Sequence, residues 1–345
     1  MMINNSIRIG IIGAGTNTCG KHIPLLQKIY GVEIVGVCNR TEASSQKVAR
    51  EFDIPEVYSD WREAIDDPEL DAIVIGTWPY LHAPASIAAL EAGKHVLCEA
   101  RMAMNLSQAK EMLEVAQLNP DLIAQLVPAP FTFRVDATIQ RLLAEGYLGE
   151  LLSIEVRGGG GFIDRESPLN WRHDVGLSGL NTMMMGVFYE SVMRWIGHAD
   201  SVLAMGKTFV KTRKNTRGVL QAIAIPDHLD ILASMLCGAQ AHLQFSSVNG
   251  HSGPVEISLY GSEATLRFCE NKLYGGTRSE SELAELKLSP SEEGHWRVEE
   301  DFIAAIRGEK EVELTTFADG LKYMEFTEAV ALSLQSGQLI KLPIL

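Results

Sequence analysis

The stretch Ile7–Gly20, IRIGIIGAGTNTCG, decides the fold. Its first six residues are an apolar, β-branched run that ends in glycine, the pattern of a parallel strand buried on both faces. The turn Gly13-Ala14-Gly15 then leads through Thr16, Asn17 and Thr18 into a helix expected to begin near Cys19 or Gly20. His22, Leu25, Leu26 and Ile29 follow at helical spacing, and Pro24 suits a first turn. Backbone N–H groups at such a helix start can hold a pyrophosphate. A lone G-x-G turn is common, but one that leaves a strand and opens a βαβ unit has the context a dinucleotide needs. Gly20 is out of register with the usual third glycine, which implies a longer loop.

Working outward, VEIVGVC (Val32–Cys38), Glu56–Tyr58, DAIVIG (Asp71–Gly76), HVLCEA (His95–Ala100) and LIAQLV (Leu122–Val127) read as further strands. Helices over Glu42–Phe52, Ala83–Ala92 and Leu106–Gln117 alternate with them. That rhythm predicts a Rossmann-type, doubly wound parallel sheet over residues 1–128. The second half differs. LLSIEVRG, SVLAMGKTF, LDILASML, AHLQFSSV and PVEISLYG alternate polar and apolar residues, as half-exposed antiparallel strands do. Helices are expected up to Gly146, over Asn181–Trp195 and over Val298–Arg307. Residues 129–345 therefore read as an α+β domain with a mainly antiparallel sheet, whose last helix, 321–335, is expected to pack back on the first domain.

Composition narrows the function. The chain has 345 residues, 30 Lys+Arg and 44 Asp+Glu, a net charge of −14. That charge disfavours nonspecific nucleic-acid binding and an anionic membrane surface. The five cysteines (Cys19, Cys38, Cys98, Cys237, Cys269) show no C-x-x-C spacing, so neither a metal site nor a disulfide framework is legible. The start, MMINNSIRIG, lacks a basic region followed by a cleavable apolar core, and no run is long enough to span a bilayer. A cytoplasmic protein that handles a small molecule is the expectation.

The end of the second strand bears on the cofactor. A site that prefers NAD places Asp or Glu there for the ribose hydroxyls. Asn39-Arg40-Thr41 stands instead, and a guanidinium forks onto a 2′-phosphate. NADP is expected ahead of NAD, against the alternative of a solvated loop arginine. After the fourth strand, Thr77, Trp78, Pro79 and His82 lie at the carboxyl edge, where Trp78 can pack on a cofactor ring or a sugar face.

Taken together, GIIGAG, VGVCNR, Thr77–His82 ahead of HAPASIAALEAGKHVLCEA, LLAEGYLGEL, Trp171-Arg172, Arg194-Trp195 and EEDFIAAIRGE resemble the landmarks of the glucose–fructose oxidoreductase/inositol dehydrogenase/MocA family. The resemblance covers nearly the whole chain. It implies a nucleotide-binding domain and an open-faced sheet with a sugar or polyol between them, dimers or tetramers formed through that sheet, and hydride transfer to or from nicotinamide.

It also implies a lysine in a Glu-Lys-Pro turn and an Asp and His one helical turn apart. Here Glu99-Ala100-Arg101 replaces that turn, while Met184, Phe188 and Ser191 occupy the positions of the Asp, the His and a following Asp. None of Ala100, Met184 or Phe188 exchanges a proton. Replacement catalytic candidates are His173, Tyr189 and Glu190, of which His173 titrates nearest neutrality. Glu190 and Arg194 also have the spacing of a helix pair. Arg101, Trp171, Arg172 and Asn181 are candidate substrate contacts, with a Glu99 salt bridge open for Arg101 and a helix cap open for Asn181. Glu99 and Arg101 join the cofactor set. Met183, Met184 and Met185 fan around the helix, with Met184 expected to line the site. Alternatives to a dehydrogenase are a nicotinamide-assisted glycoside hydrolase or lyase and a non-catalytic dinucleotide or sugar sensor.

Overall fold

Ile9, Ile11 and Ile12 are almost completely buried, and the strand that carries them is the centre of a six-stranded parallel sheet. The computed structural model describes residues 6–182 and 184–344. Strands β1 (Ile7–Ile12), β2 (Val32–Cys38), β3 (Glu56–Val57), β4 (Ala72–Ile75), β5 (His95–Cys98) and β6 (Ala124–Leu126) lie in the order β3-β2-β1-β4-β5-β6. The order reverses between β1 and β4, the switch point at which ligands bind in open α/β sheets. Helices start where the chain supplies caps: Thr41 accepts Ser44 N–H, Asp60 accepts Arg62 N–H and Asn105 accepts Gln108 N–H. The short helix Trp61–Asp66, set by the Asp60 cap, was not anticipated from periodicity.

Two compact units emerge: residues 1–128 with 297–321, and residues 129–296 with 322–345. The segment that returns to the first unit is thus 297–321, not the last helix as expected. Leu126 N–H donates to Thr315 O (2.9 Å), Gln125 Nε2 donates to Val298 O (3.4 Å), and Gln125 bridges Thr316. The helix Phe317–Ser336 belongs to the second unit from Lys322 onward.

The second unit holds a nine-stranded mixed sheet. In order its strands are Ala284–Glu285, Lys272–Thr277, Ala264–Cys269, Glu256–Gly261, Leu151–Gly159, Gln240–Ser246, His228–Met235, Ala199–Lys207 and Ile340–Lys341. Neighbours are antiparallel except Gln240–Ser246, which runs parallel to Leu151–Gly159. Alternation does the sorting: Ile154, Val156 and Gly158 face in, while Leu152, Leu203, Met205 and Leu232 are exposed. The helix Met185–Ile196 starts later than the Asn181 that spacing suggested, so Asn181 and Met184 precede it. Among the described residues no helix is long and apolar enough to cross a membrane.

Candidate functional site

The glycine turn is built on a backbone conformation and a close approach that Gly13 permits. Gly13 has φ +88° and donates its N–H to Cys38 O (2.8 Å), and a Cβ there would lie 2.5 Å from Thr77 Cγ2 and 2.7 Å from Thr77 N. Ala14 N–H donates to Asn39 Oδ1 (2.6 Å), so the residue expected to face a ribose instead braces the turn. Thr18 is buried and donates Oγ1 to Gly13 O (3.2 Å); it shapes the turn rather than facing a ligand. Gly15, Thr16 and Asn17 are exposed at the start of the following helix, where first-turn N–H groups lack intrahelical acceptors. A Cβ on Gly20 would meet nothing within 4 Å, so Gly20 has no third-glycine packing role.

A cavity of about 400 Å³ opens along this edge, between the ends of β1, β2 and β4. Gly13, Gly15, Asn39, Arg40, Thr77 and Trp78 line it. The Arg40 guanidinium lies 5.3 Å from the Trp78 ring centroid, within cation–π range. Tyr80, at the same carboxyl edge, shares these walls, and sequence reasoning missed Ser59, Asp60 and Trp61 on them. The Ser-Asp start of a helix signalled a cap at Asp60, but only the pairing of β3 with β2 brings it here. Its carboxylate is committed to Arg62 N–H (2.9 Å) and Nη1 (3.2 Å). Two expected contacts are corrected. The Thr41 hydroxyl oxygen caps the following helix by accepting Ser44 N–H, and Pro79 is buried.

His82 is also structural. It is fully buried, with Nδ1 2.8 Å from Arg101 O and Nε2 3.0 Å from Thr77 O, tying the turns after β4 and β5 together. Burial holds it below its ordinary pKa. After β5, Glu99 Oε1 receives Asn17 Nδ2 and lies 3.0 Å from His22 Nε2, while Oε2 accepts Ala100 N–H (3.2 Å). Burial pushes Glu99 up, yet His22 and Asn17 hold it below the usual carboxylate range. Arg101 is buried, and the Ala100–Arg101 peptide bond is cis.

In the second unit most candidates are absorbed by packing. Tyr189 is 1% exposed, stacks on Phe326 with centroids 3.6 Å apart, and accepts Ala199 N–H at its hydroxyl (2.9 Å). Burial raises its pKa, and the ring stack with the hydroxyl on Ala199 N–H makes it a core residue. Glu190 is fully buried; Oε1 accepts Ala129 N–H (2.9 Å) and Arg194 Nη1 (3.2 Å), and Arg194 also binds Asp136 (2.9 Å). The helix pair anticipated for Glu190 exists, but inside the unit, which takes it out of acid–base duty. Phe188 packs between Phe131 and Phe245. Asn181 does not cap the helix, whose cap position is Met184; it donates Nδ2 to Ser178 O (2.6 Å). Met183 lies outside the described residues.

His173 is the titratable candidate that stays at the surface, on a short 3-10 turn with Trp171 and Arg172. Arg172 lies 4.2 Å over the Trp171 ring. Nδ1 of His173 accepts Asn170 N–H (3.5 Å), so the neutral ring carries its proton on Nε2. Burial and the Arg213 charge hold it below its ordinary pKa.

Comparison with known proteins gives a consistent result. Residues 7–124 match a family model described as "Oxidoreductase family, NAD-binding Rossmann fold", and residues 137–267 match one described as "GFO/IDH/MocA C-terminal domain". Levoglucosan dehydrogenase of Pseudarthrobacter phenanthrenivorans is 24% identical over 246 residues, covering 64% of this chain and 61% of that protein. The uncharacterized oxidoreductase YdgJ of Escherichia coli is 33% identical over 156 residues, 44% of this chain and 43% of its own length. A solved structure of levoglucosan dehydrogenase in complex with NADH and L-sorbose superposes with a TM-score of 0.85 at 22% identity, covering 98% of this chain and 99% of that one. At that identity the likeness is one of fold.

Proposed function

The chain belongs to the Gfo/Idh/MocA family of oxidoreductases, and from that premise we propose that it is an NAD(P)-dependent dehydrogenase of a sugar- or polyol-like substrate. The observation that carries this reading is the cavity at the β1/β4 switch point, floored by the Gly13–Gly15 turn and walled by Arg40 and Trp78. The residues fit the cofactor: a turn too tight for a Cβ, exposed first-turn residues for a pyrophosphate, and an aromatic wall for a base. When bound, the nicotinamide supplies or accepts hydride. NADP is the preferred form, since Arg40 is exposed beside the ribose end and Asp60 already has its partner.

The sugar-binding role is assigned to Trp171, Arg172 and His173. With its proton on Nε2, His173 donates to a substrate oxygen, and to act as a base it has to release the Asn170 cap. A second reading, a dinucleotide or sugar sensor, is favoured by the burial of Tyr189 and Glu190 in packing, added to the presence of Ala100, Met184 and Phe188 where the family resemblance implies proton-exchanging residues.

Titration with NADPH and NADH, followed by a sugar and polyol panel read at the nicotinamide band, separates these. Arg40→Ala is expected to weaken NADPH about tenfold and NADH less than about threefold. Equal weakening sinks the phosphate assignment. With an active sugar in hand, His173→Ala is expected to raise KM about tenfold with a smaller change in kcat. Tight cofactor binding with no turnover across the panel selects the sensor.

A further inference from the structure

One buried imidazole joins three segments of the first unit, and the proposed chemistry does not use it. His22 lies in the helix after the glycine turn, Glu99 follows β5, and Glu299 sits on the helix Val298–Ile306 in the returning segment. His22 is 0% exposed and Glu299 1%. Its Nδ1 is 2.5 Å from Glu299 Oε1, and its Nε2 is 3.0 Å from Glu99 Oε1. With both partners as carboxylates, which only accept, each contact draws on a ring proton; Asn17 Nδ2 also lies 3.4 Å from His22 Nε2. The same Glu99 oxygen receives Asn17 Nδ2 from the exposed first turn, and Glu99 Oε2 accepts Ala100 N–H (3.2 Å).

The geometry points to His22 as a cationic positioning residue for cofactor binding: clamped between Glu99 and Glu299, it fixes the carboxylate that ties the glycine turn to the Ala100–Arg101 segment. The assignment rests on the dinucleotide reading above. With the imidazolium in place, its positive charge faces both carboxylates. Loss of the proton removes that positive charge from beside the buried Glu299 and the half-buried Glu99, behind a turn that must receive a pyrophosphate, and the added negative potential then opposes binding. Burial pulls His22 down, but hydrogen bonds and charge from Glu299 and Glu99 raise it to about 9 from 6.5. A raised folded pKa means the clamp is complete below the ordinary value and is lost as pH rises through about 9.

The test is NADPH and NADH binding by fluorescence from pH 7 to 10.5, where the reduced nucleotides survive, in the wild type, His22→Gln and Glu299→Gln. Thermal denaturation at each pH checks folding. The expected wild-type affinity is flat near neutrality and falls about tenfold through pH 9. His22→Gln is expected to bind about tenfold more weakly at pH 7.5 and to lose that step. Glu299→Gln should move the step to lower pH. Wild-type binding that stays flat to pH 10.5, or a step that persists in His22→Gln, overturns the assignment while leaving the dinucleotide reading intact. A wild type that binds neither nucleotide at pH 7.5 removes both. If a variant fails to fold, the wild-type step together with the His22 ring titration followed by NMR decides: a ring already neutral at pH 7.5 overturns it.

Discussion

The carboxyl edge of the parallel sheet and the helix Met185–Ile196 both drew predicted functional residues, and they met opposite fates. At the edge, Gly13, Gly15, Asn39, Arg40, Thr77 and Trp78 line one cavity. On the helix, Tyr189 and Glu190 vanish into the core, one by ring stacking and the other by a buried ion pair. The difference lies in what does the work. A dinucleotide is held largely by backbone geometry, which a local motif encodes, whereas a proton-exchanging side chain has value only where its surroundings leave it reachable.

The widest separation between the two regions comes from Glu190→Ala. Removing Glu190 leaves Ala129 N–H without this acceptor and takes from Arg194 one of its two carboxylate partners, Asp136 remaining, and the loss of stability is expected to be about 3 kcal/mol. Urea denaturation measures it, and nucleotide affinity of the folded fraction should be unchanged. A stable Glu190→Ala protein would return this residue to the catalytic list.

Gly13→Ala probes the other side. The added Cβ would press on Thr77 at a φ that L-residues avoid, so the turn must shift. Nucleotide binding is expected to weaken about a hundredfold, with a modest stability loss of ~1–3 kcal/mol. Unchanged affinity would show that the turn tolerates a side chain, and the backbone account of this edge would fall.

Legibility follows the same division. The six parallel strands were readable because strands buried on both faces are continuous apolar runs, and even the two-residue β3 stood where the rhythm required. Ser59, Asp60 and Trp61 were not, because their place in the cavity depends on β3 pairing beside β2, which no local pattern states. Asn181 illustrates a local competitor. Its amide reaches the Ser178 carbonyl (2.6 Å), and the helix begins at Met185 instead. The return of 297–321 to the first unit depends on a backbone bond from Leu126 and a side-chain bond from Gln125 across long sequence separations. What the residues could be was local; what they were permitted to do was set by distant partners.

The smallest effect is the sharpest discriminator, since it changes a single hydroxyl. Tyr189→Phe keeps the stack on Phe326 and removes only the acceptor for Ala199 N–H. A buried donor left unsatisfied costs about 1 kcal/mol, partly recovered if the backbone relaxes. A small drop in urea midpoint is therefore expected, with any turnover unaltered in rate and in pH profile. A hydroxyl that donated protons to substrate would behave in the opposite way. Its loss would reduce kcat about a hundredfold or more and abolish one limb of the pH profile, while stability hardly moved. Because burial already raises the Tyr189 pKa above its ordinary value, a kinetic limb assigned to it could appear only at strongly alkaline pH. The stability loss and the silent kinetics must occur together for this helix to count as scaffold, which makes the pair of measurements stricter than either alone.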